Sequence, residues 1–203
     1  MTAEFVHIVD DDAAVRDALH WLLTSVGQEV KCYESAQAFL ESGGETAPGA
    51  LVLDIRMEGM SGLELFGRLK AANSPIPVIF LTGHGDVPLA VDAIKSGAFD
   101  FLEKPFDDAE FVKIIERALV AGRKWRIIAE QSGEIARRLQ ALSTRELQVM
   151  ELLVTGRANK VIAAELNIAM RTVEVHRARI LTKLGVKTAV ELGAVLSVTK
   201  GRG

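Results

Sequence analysis

The chain has 203 residues, 49% hydrophobic and 25% charged, the make-up of a globular protein large enough for one big domain or two modest ones. No apolar run reaches the roughly 20 residues that span a bilayer, and Met1 to Val9 lacks the layout of a secretory leader, so the expected location is the cytoplasm, with no membrane partner. The single cysteine, Cys32, excludes an internal disulfide and is expected to be a small buried hydrophobe. The net charge of −3 hides an asymmetry: residues 1–122 carry −11 and residues 123–203 carry +8. Such a split predicts a cation or basic surface as partner of the first part and a polyanion as partner of the second.

In chain order, the first part alternates strand-like and helix-like segments. Phe5 to Val9 reads as a strand, Ala13 to Val26 as a helix, Glu29 to Tyr33 as a strand, and Ser35 to Glu41 as a helix capped by Ser35. Ala50 to Leu53 is an unbroken apolar run of the kind buried on both faces, followed by a helix from Gly62 to Ala72. Ile76 to Leu81 is the fourth strand, Val87 to Ser96 a helix, Ala98 to Leu102 the fifth strand, and Asp107 to Ala121 the last helix. This alternation predicts a parallel sheet covered by helices on both faces. Residues 122–142 are polar and helix-prone, and read as a helical linker interrupted near Gly133. After Leu142 no strand pattern remains and four short helices follow.

In open α/β sheets, ligands bind beyond the carboxyl ends of the strands. The residues there are Asp10, Asp11 and Asp12 after the first strand, Asp54 after the third, Thr82 after the fourth, and Lys104-Pro105 after the fifth. Each has a bland reading alone: a cap for Asp12, a turn residue for Thr82, a surface cation for Lys104. Jointly they suggest more. Asp10, Asp11 and Asp54 would repel one another when close, and a divalent cation with Lys104 would cancel their charge. Hard oxygen ligands suit Mg²⁺ (or Mn²⁺), and phosphoryl transfer needs mainly positioning and charge neutralisation. A carboxylate can be the covalent acceptor. An Asp-x-Asp at Asp10 and Asp12 also fits an aspartate-nucleophile phosphatase, but that scheme leaves Asp54 unexplained. Gly43-Gly44-Glu45-Thr46 lacks the lysine of a phosphate-cradling P-loop.

The segments Ile8-Val9-Asp10-Asp11-Asp12, Val52-Leu53-Asp54-Ile55-Arg56-Met57, Leu81-Thr82-Gly83-His84-Gly85 and Glu103-Lys104-Pro105-Phe106 resemble receiver domains of two-component response regulators. The resemblance implies a flavodoxin-like, doubly wound, five-stranded parallel sheet over residues 1–121. It makes Asp54 the phosphorylation site, taking its phosphoryl group from a sensor histidine kinase. It makes Asp11, Asp54 and the Arg56 backbone carbonyl metal ligands, with Asp10 acting through water. Thr82 and Lys104 become phosphoryl contacts, Phe101 an aromatic that turns inward on activation, and Lys104-Pro105 a cis bond. Arg56 and His84 would flank the path of attacking water. Glu58 stands where the family usually has proline, which adds charge beside the site and bears on phosphoryl lifetime. Such a chain is no enzyme beyond self-phosphorylation and self-dephosphorylation chemistry on Asp54.

Ser143-Thr144-Arg145-Glu146 fits a capping box that opens a helix to Val154, ended by Gly156. Asn159 to Leu166, a turn at Asn167-Ile168-Ala169, and Arg171 to Leu184 have a helix-turn-helix layout, whose second helix enters the major groove of DNA. On that helix Val173, Ile180 and Leu184 share an inward face, and Glu174, Val175, Ala178, Arg179 and Thr182 lie opposite. Val175 and Ala178 suit thymine methyls, and Arg179 suits guanine or phosphate. Lys160, Arg171, Thr172, Arg177 and Lys183 flank that face as phosphate contacts. The bland alternative is a basic solvated helix. Leu142 to Glu146, Asn159 to Ala163 and Arg171 to Arg177 resemble the LuxR-type DNA-binding domain, here over residues 143–203, with Ala169 in place of a capping hydroxyl. The whole chain thus resembles the FixJ/NarL family of response regulators, closest to its FixJ branch. That implies double-stranded promoter DNA as partner, a homodimer on phosphorylation, and RNA polymerase if the protein activates.

Overall fold

Strand pairing builds the first unit around side chains that alternate between two faces. A computed structural model describes residues 4–83 and 86–200. Five strands, β1 (Phe5–Val9), β2 (Val30–Tyr33), β3 (Gly49–Asp54), β4 (Val78–Thr82) and β5 (Asp100–Glu103), pair in parallel in the order β2-β1-β3-β4-β5. Leu51 and Leu53 of β3 join one apolar cluster with Phe39, Leu65, Leu69 and Ala90, while Ala50 and Val52 join another with Leu19, Leu23, Phe111 and Ile115. That period of two makes β3 apolar throughout: both faces are covered. Helices α2 (Ala36–Glu41), α3 (Gly62–Ala71) and α4 (Val87–Lys95) supply the first cluster, and α1 (Ala13–Ser25) and α5 (Asp108–Gln140) the second. The doubly wound parallel sheet expected from the alternation is therefore present.

Local chemistry explains the element ends. Asp12 and Ser35 accept hydrogen bonds from Ala14 N and Ala38 N, capping α1 and α2. Ser61 and Glu64 form a reciprocal capping box at the start of α3. The fourth strand starts at Val78, two residues later than the sequence suggested, after Pro77, which has no N–H to give a ladder.

Two expectations are corrected. The linker is not interrupted near Gly133, because α5 is one helix from Asp108 to Gln140. A glycine in a helix costs about 1 kcal/mol relative to alanine. Here Glu134 offsets part of that through ion pairs with Arg137 at 2.7 Å and Arg138 at 2.9 Å, one turn away. Cys32 is exposed rather than buried, because β2 lies at the edge of the sheet.

The second unit, from Ile128 onward by compactness, is helical over its described residues: α6 (Thr144–Val154), α7 (Asn159–Glu165), α8 (Met170–Leu184) and α9 (Ala189–Lys200) follow the end of α5. Leu142, Val149, Leu153, Ile162, Val173, Ile180, Leu184 and Leu192 form its core. Among the described residues, no helix is long and apolar enough to cross a membrane.

His7, only 2% exposed in β1, carries a pH consequence. Its Nδ1 lies 3.1 Å from the Tyr33 hydroxyl and its Nε2 lies 3.3 Å from the Pro48 carbonyl. A neutral ring donating from Nε2 and accepting at Nδ1 satisfies both. Burial pushes the His7 pKa below its ordinary value, with Lys31 adding to that and the Pro48 bond opposing it. The unfolded chain therefore takes up the proton first, so stability is present above about pH 6.5 and falls as pH drops below it. Between pH 7.5 and 5.5 the urea midpoint of the intact protein should fall more than that of His7→Gln. The contribution of one such group is at most about 1.4 kcal/mol per pH unit. Equal pH dependence of the two proteins would show that His7 takes up its proton alike in the folded and unfolded states.

Candidate functional site

Strand order fixes where the polar residues meet. The direction of winding reverses between β1 and β3, and at such switch points the strand ends leave a crevice. Asp10 follows β1, Asp54 ends β3, Thr82 ends β4, and Lys104 follows β5. Lys104 Nζ donates to Asp10 Oδ2 at 2.9 Å and to Asp54 Oδ1 at 2.8 Å. The other Asp54 oxygen accepts from the Arg56 amide at 2.7 Å. Gly62 is forced at the base of this loop, because a Cβ there would overlap the Asp54 carbonyl.

The charges are strained against one another. Burial pushes the Asp54 carboxyl up, the bonds from Lys104 and the Arg56 amide pull it down, and Asp10 pushes it up again. For Lys104, burial opposes the charged form, but the bonds to Asp54 and Asp10 prevail and raise its pKa. With Asp11 counted, three carboxylates face one ammonium, leaving two negative charges. An all-oxygen donor set of that charge fits a hard divalent cation. Asp11 has a different partner: its Oδ2 accepts from the Glu58 amide at 2.9 Å. Among the described residues, no three metal-ligating side chains already converge. Lys104 brings Asp10 and Asp54 together.

The remaining expected residues divide. Thr82 is fully buried, with its hydroxyl donating to the Leu102 carbonyl at 3.2 Å. Phe101 is half-buried in β5 and packs on the cluster that holds Phe80. The Lys104-Pro105 bond is cis. His84 lies outside the described residues. Arg56 is exposed, and its guanidinium grips Asp86 through Nε at 2.8 and 3.0 Å and through Nη2 at 2.6 Å. Asp86 went unnoticed in the sequence because an aspartate before a helix reads as a cap. Here it makes no side-chain cap bond and is 4% exposed. The guanidinium holds its carboxyl below the ordinary range.

In the second unit, α7 and α8 are joined by a turn in which Asn167 takes a left-handed φ of 51°. Val173, Ile180 and Leu184 of α8 are buried, and Arg171, Thr172, Glu174, Val175, Ala178, Arg179 and Thr182 are exposed, as is Lys160 on α7. Ala169 occupies the cap position of α8 without a side-chain bond. Arg177 is half-buried and reaches Asn159 Oδ1 at 3.3 Å. Lys183 departs from the expectation of a free cation. Its ammonium donates to Glu146 Oε2 at 2.7 Å and to the Ala141 carbonyl at 3.0 Å. This bond, together with the Ser143 amide, holds the buried Glu146 carboxyl down at about 2. The capping box that opens α6 thus has a second task, anchoring α8, which the S-x-x-E spacing could not disclose.

A switch-point acidic crevice in one unit and a helix-turn-helix in the other define a signal-receiving module joined to a DNA-binding module. Comparison with known families agrees: residues 6–116 match the response regulator receiver domain, and residues 140–196 match the LuxR family of bacterial regulatory proteins. Among curated relatives, transcriptional regulatory protein FixJ of Bradyrhizobium diazoefficiens is 46% identical over 94% of this chain and 93% of its own length. Response regulator protein TmoT of Ectopseudomonas mendocina is 44% identical over 92% of this chain and 85% of its own. Among solved structures, response regulator StyR aligns with a TM-score of 0.75 at 41% identity, covering 97% of this chain and 99% of that one. Full-length FixJ from B. japonicum gives 0.59 at 44% identity, covering 98% of each. The chain belongs to the response regulators that join a receiver to a LuxR-type DNA-binding domain, and it is a transcription factor of the two-component class rather than a conventional enzyme.

The Arg56–Asp86 pair yields a stability test. Removing Arg56 strands a buried carboxylate, whereas removing both charges does not. In urea titrations Arg56→Ala should lower stability more than the double variant Arg56→Ala/Asp86→Asn. A double variant as unstable as the sum of the single changes would show the two side chains to be uncoupled.

Proposed function

We propose that Asp54 is the phosphoacceptor and that its modification controls DNA binding by the second unit. The observation that carries this reading is the shared hydrogen bonding of Lys104 to Asp10 and Asp54 at the strand ends. A carboxylate oxygen of Asp54 attacks the phosphorus of a phosphohistidine on a sensor kinase. The P–N bond breaks with its electron pair going to the imidazole, and an acyl phosphate forms. Water later attacks that phosphorus, which returns the carboxylate and inorganic phosphate. Lys104, already placed against Asp54, neutralises part of the oxyanion charge. Asp10, Asp11, Asp54 and the Arg56 carbonyl are the oxygens that would hold Mg²⁺ or Mn²⁺. When bound, the ion supplies charge neutralisation and orients phosphoryl oxygens. Thr82 would turn its hydroxyl to the phosphoryl group, giving up the Leu102 carbonyl, with Phe101 moving inward behind it. Arg56, His84 and Glu58 would set how long the acyl phosphate lasts.

On the DNA side, the exposed face of α8 carries the readout. Val175 and Ala178 meet base edges, Arg179 a guanine or a phosphate, and Glu174 the same groove; Lys160, Arg171, Thr172 and Arg177 contact phosphates. Lys183 is left out of this set, because its ammonium is engaged by Glu146. Activation favours a homodimer on two half-sites of promoter DNA, where an activator would meet RNA polymerase. The boundaries we assign are a receiver at 1–121, a linker at 122–142 and the DNA-binding domain at 143–203, in a cytoplasmic protein.

Asp54→Asn should abolish labelling of the intact protein by acetyl phosphate in Mg²⁺, because an amide is no nucleophile. Undiminished label in that variant, mapped to Asp10 or Asp12, would overturn the assignment. For DNA, Arg179→Ala should weaken promoter binding by about 1–3 kcal/mol if the arginine reads a base. Lys160→Ala should instead weaken binding to all sequences alike and make it less sensitive to salt by about one counterion. Gel-shift titrations at several salt concentrations distinguish the two, and equal loss on specific and random DNA for Arg179→Ala would remove it from base readout.

A further inference from the structure

The two loops that border the acceptor are tied together by one backbone hydrogen bond. Glu58 lies in the loop between Asp54 and α3, and its amide donates to Asp11 Oδ2 at 2.9 Å across 47 positions of sequence. The other two carboxylates of the crevice are engaged by Lys104. Asp11 is exposed, so water would satisfy its oxygens if the amide did not. The bond therefore sets the direction of the carboxylate more than its solvation. One oxygen of Asp11 is thereby committed to the loop that follows Asp54.

We propose that the Glu58 backbone N–H is a positioning group that weakens divalent-metal binding in this receiver by committing one oxygen of the Asp11 carboxylate to the loop after Asp54. The inference rests on the reading of these three aspartates as a metal site. It assigns to the residue after Met57 a role that lies in its amide rather than in its acidic side chain. Ligation through Oδ2 has to break the bond to Glu58, and ligation through Oδ1 has to turn a carboxylate that the bond fixes, so the amide competes with the metal. Proline is the one residue that removes the donor, because its nitrogen carries no hydrogen. Alanine removes the Glu58 carboxylate and keeps the donor. The difference between the two variants isolates the amide.

Mg²⁺ binding by full-length E58P and E58A is compared by calorimetric titration with MgCl₂, each protein first checked for an unchanged circular dichroism spectrum. E58P should bind about three- to tenfold more tightly than E58A, the span expected for losing one competing, solvent-exposed hydrogen bond of ordinary net strength. Equal affinities, or weaker binding by E58P, overturn the inference, the latter by showing that the amide prepares Asp11 for the metal. Because proline can disturb the loop, a second measurement uses the unaltered chain. In ¹⁵N NMR the Glu58 amide should lose its hydrogen-bonded shift and exchange faster with solvent, with the same midpoint as the metal titration. An amide that stays protected at saturating Mg²⁺ overturns the proposal whatever the variants do. A wild-type protein showing no saturable Mg²⁺ response at all would instead remove the metal site on which the inference stands.

Discussion

Everything in the first unit is arranged so that one ammonium can stand between two carboxylates. Lys104 reaches Asp10 across 94 positions of sequence and Asp54 across 50, and no local rule of chain folding brings those residues together. The parallel order β2-β1-β3-β4-β5 does so, by setting the carboxyl ends of β1, β3, β4 and β5 along one edge of the sheet. The apolar faces of β3 and β4, covered on both sides, make that edge rigid enough to hold like charges close. Burial raises the pKa of Asp54, and the bond from Lys104 opposes that shift.

Around this pair the loops are held by polar contacts that reach beyond the acceptor. Arg56 grips Asp86, linking the segment after Asp54 with the segment before α4, and the Glu58 amide grips Asp11. Both contacts involve the loop that follows Asp54, whose far end is fixed by Gly62 against the Asp54 carbonyl.

The second unit solves a different problem, presenting a rigid helix face to a polyanion. The core side of α8 is closed by Val173, Ile180 and Leu184. Its C-terminal end is fixed twice, by Lys183 on Glu146 and by the Arg138 guanidinium donating to the Leu184 carbonyl at 3.0 Å. Lys183 is thus engaged in holding α8 in place, and Val175 and Ala178 stay exposed among charged neighbours on the opposite face.

Periodicity and end signals determined the elements directly: alternating apolar runs marked the strands, and the serines at positions 35 and 143 marked helix starts, because those signals act within a few residues. The acidic crevice was also legible, since strand ends in an open parallel sheet share one edge and the residues following them can be read off in order. The direction of each side chain at that edge was not. Thr82 bonded to Leu102, Asp11 drawn to Glu58, Asp86 gripped by Arg56 and Lys183 engaged by Glu146 all depend on partners at least 20 positions away. The unbroken course of α5 through Gly133 and the exposure of Cys32 were likewise decided above the local level. One rests on one-turn ion pairs that offset a weak helix former, the other on the place of β2 at the rim of the sheet. Sequence pattern sets what each segment prefers; only the packed structure settles which of several available partners a polar group takes, because that choice is made by distance and by the exclusion of water.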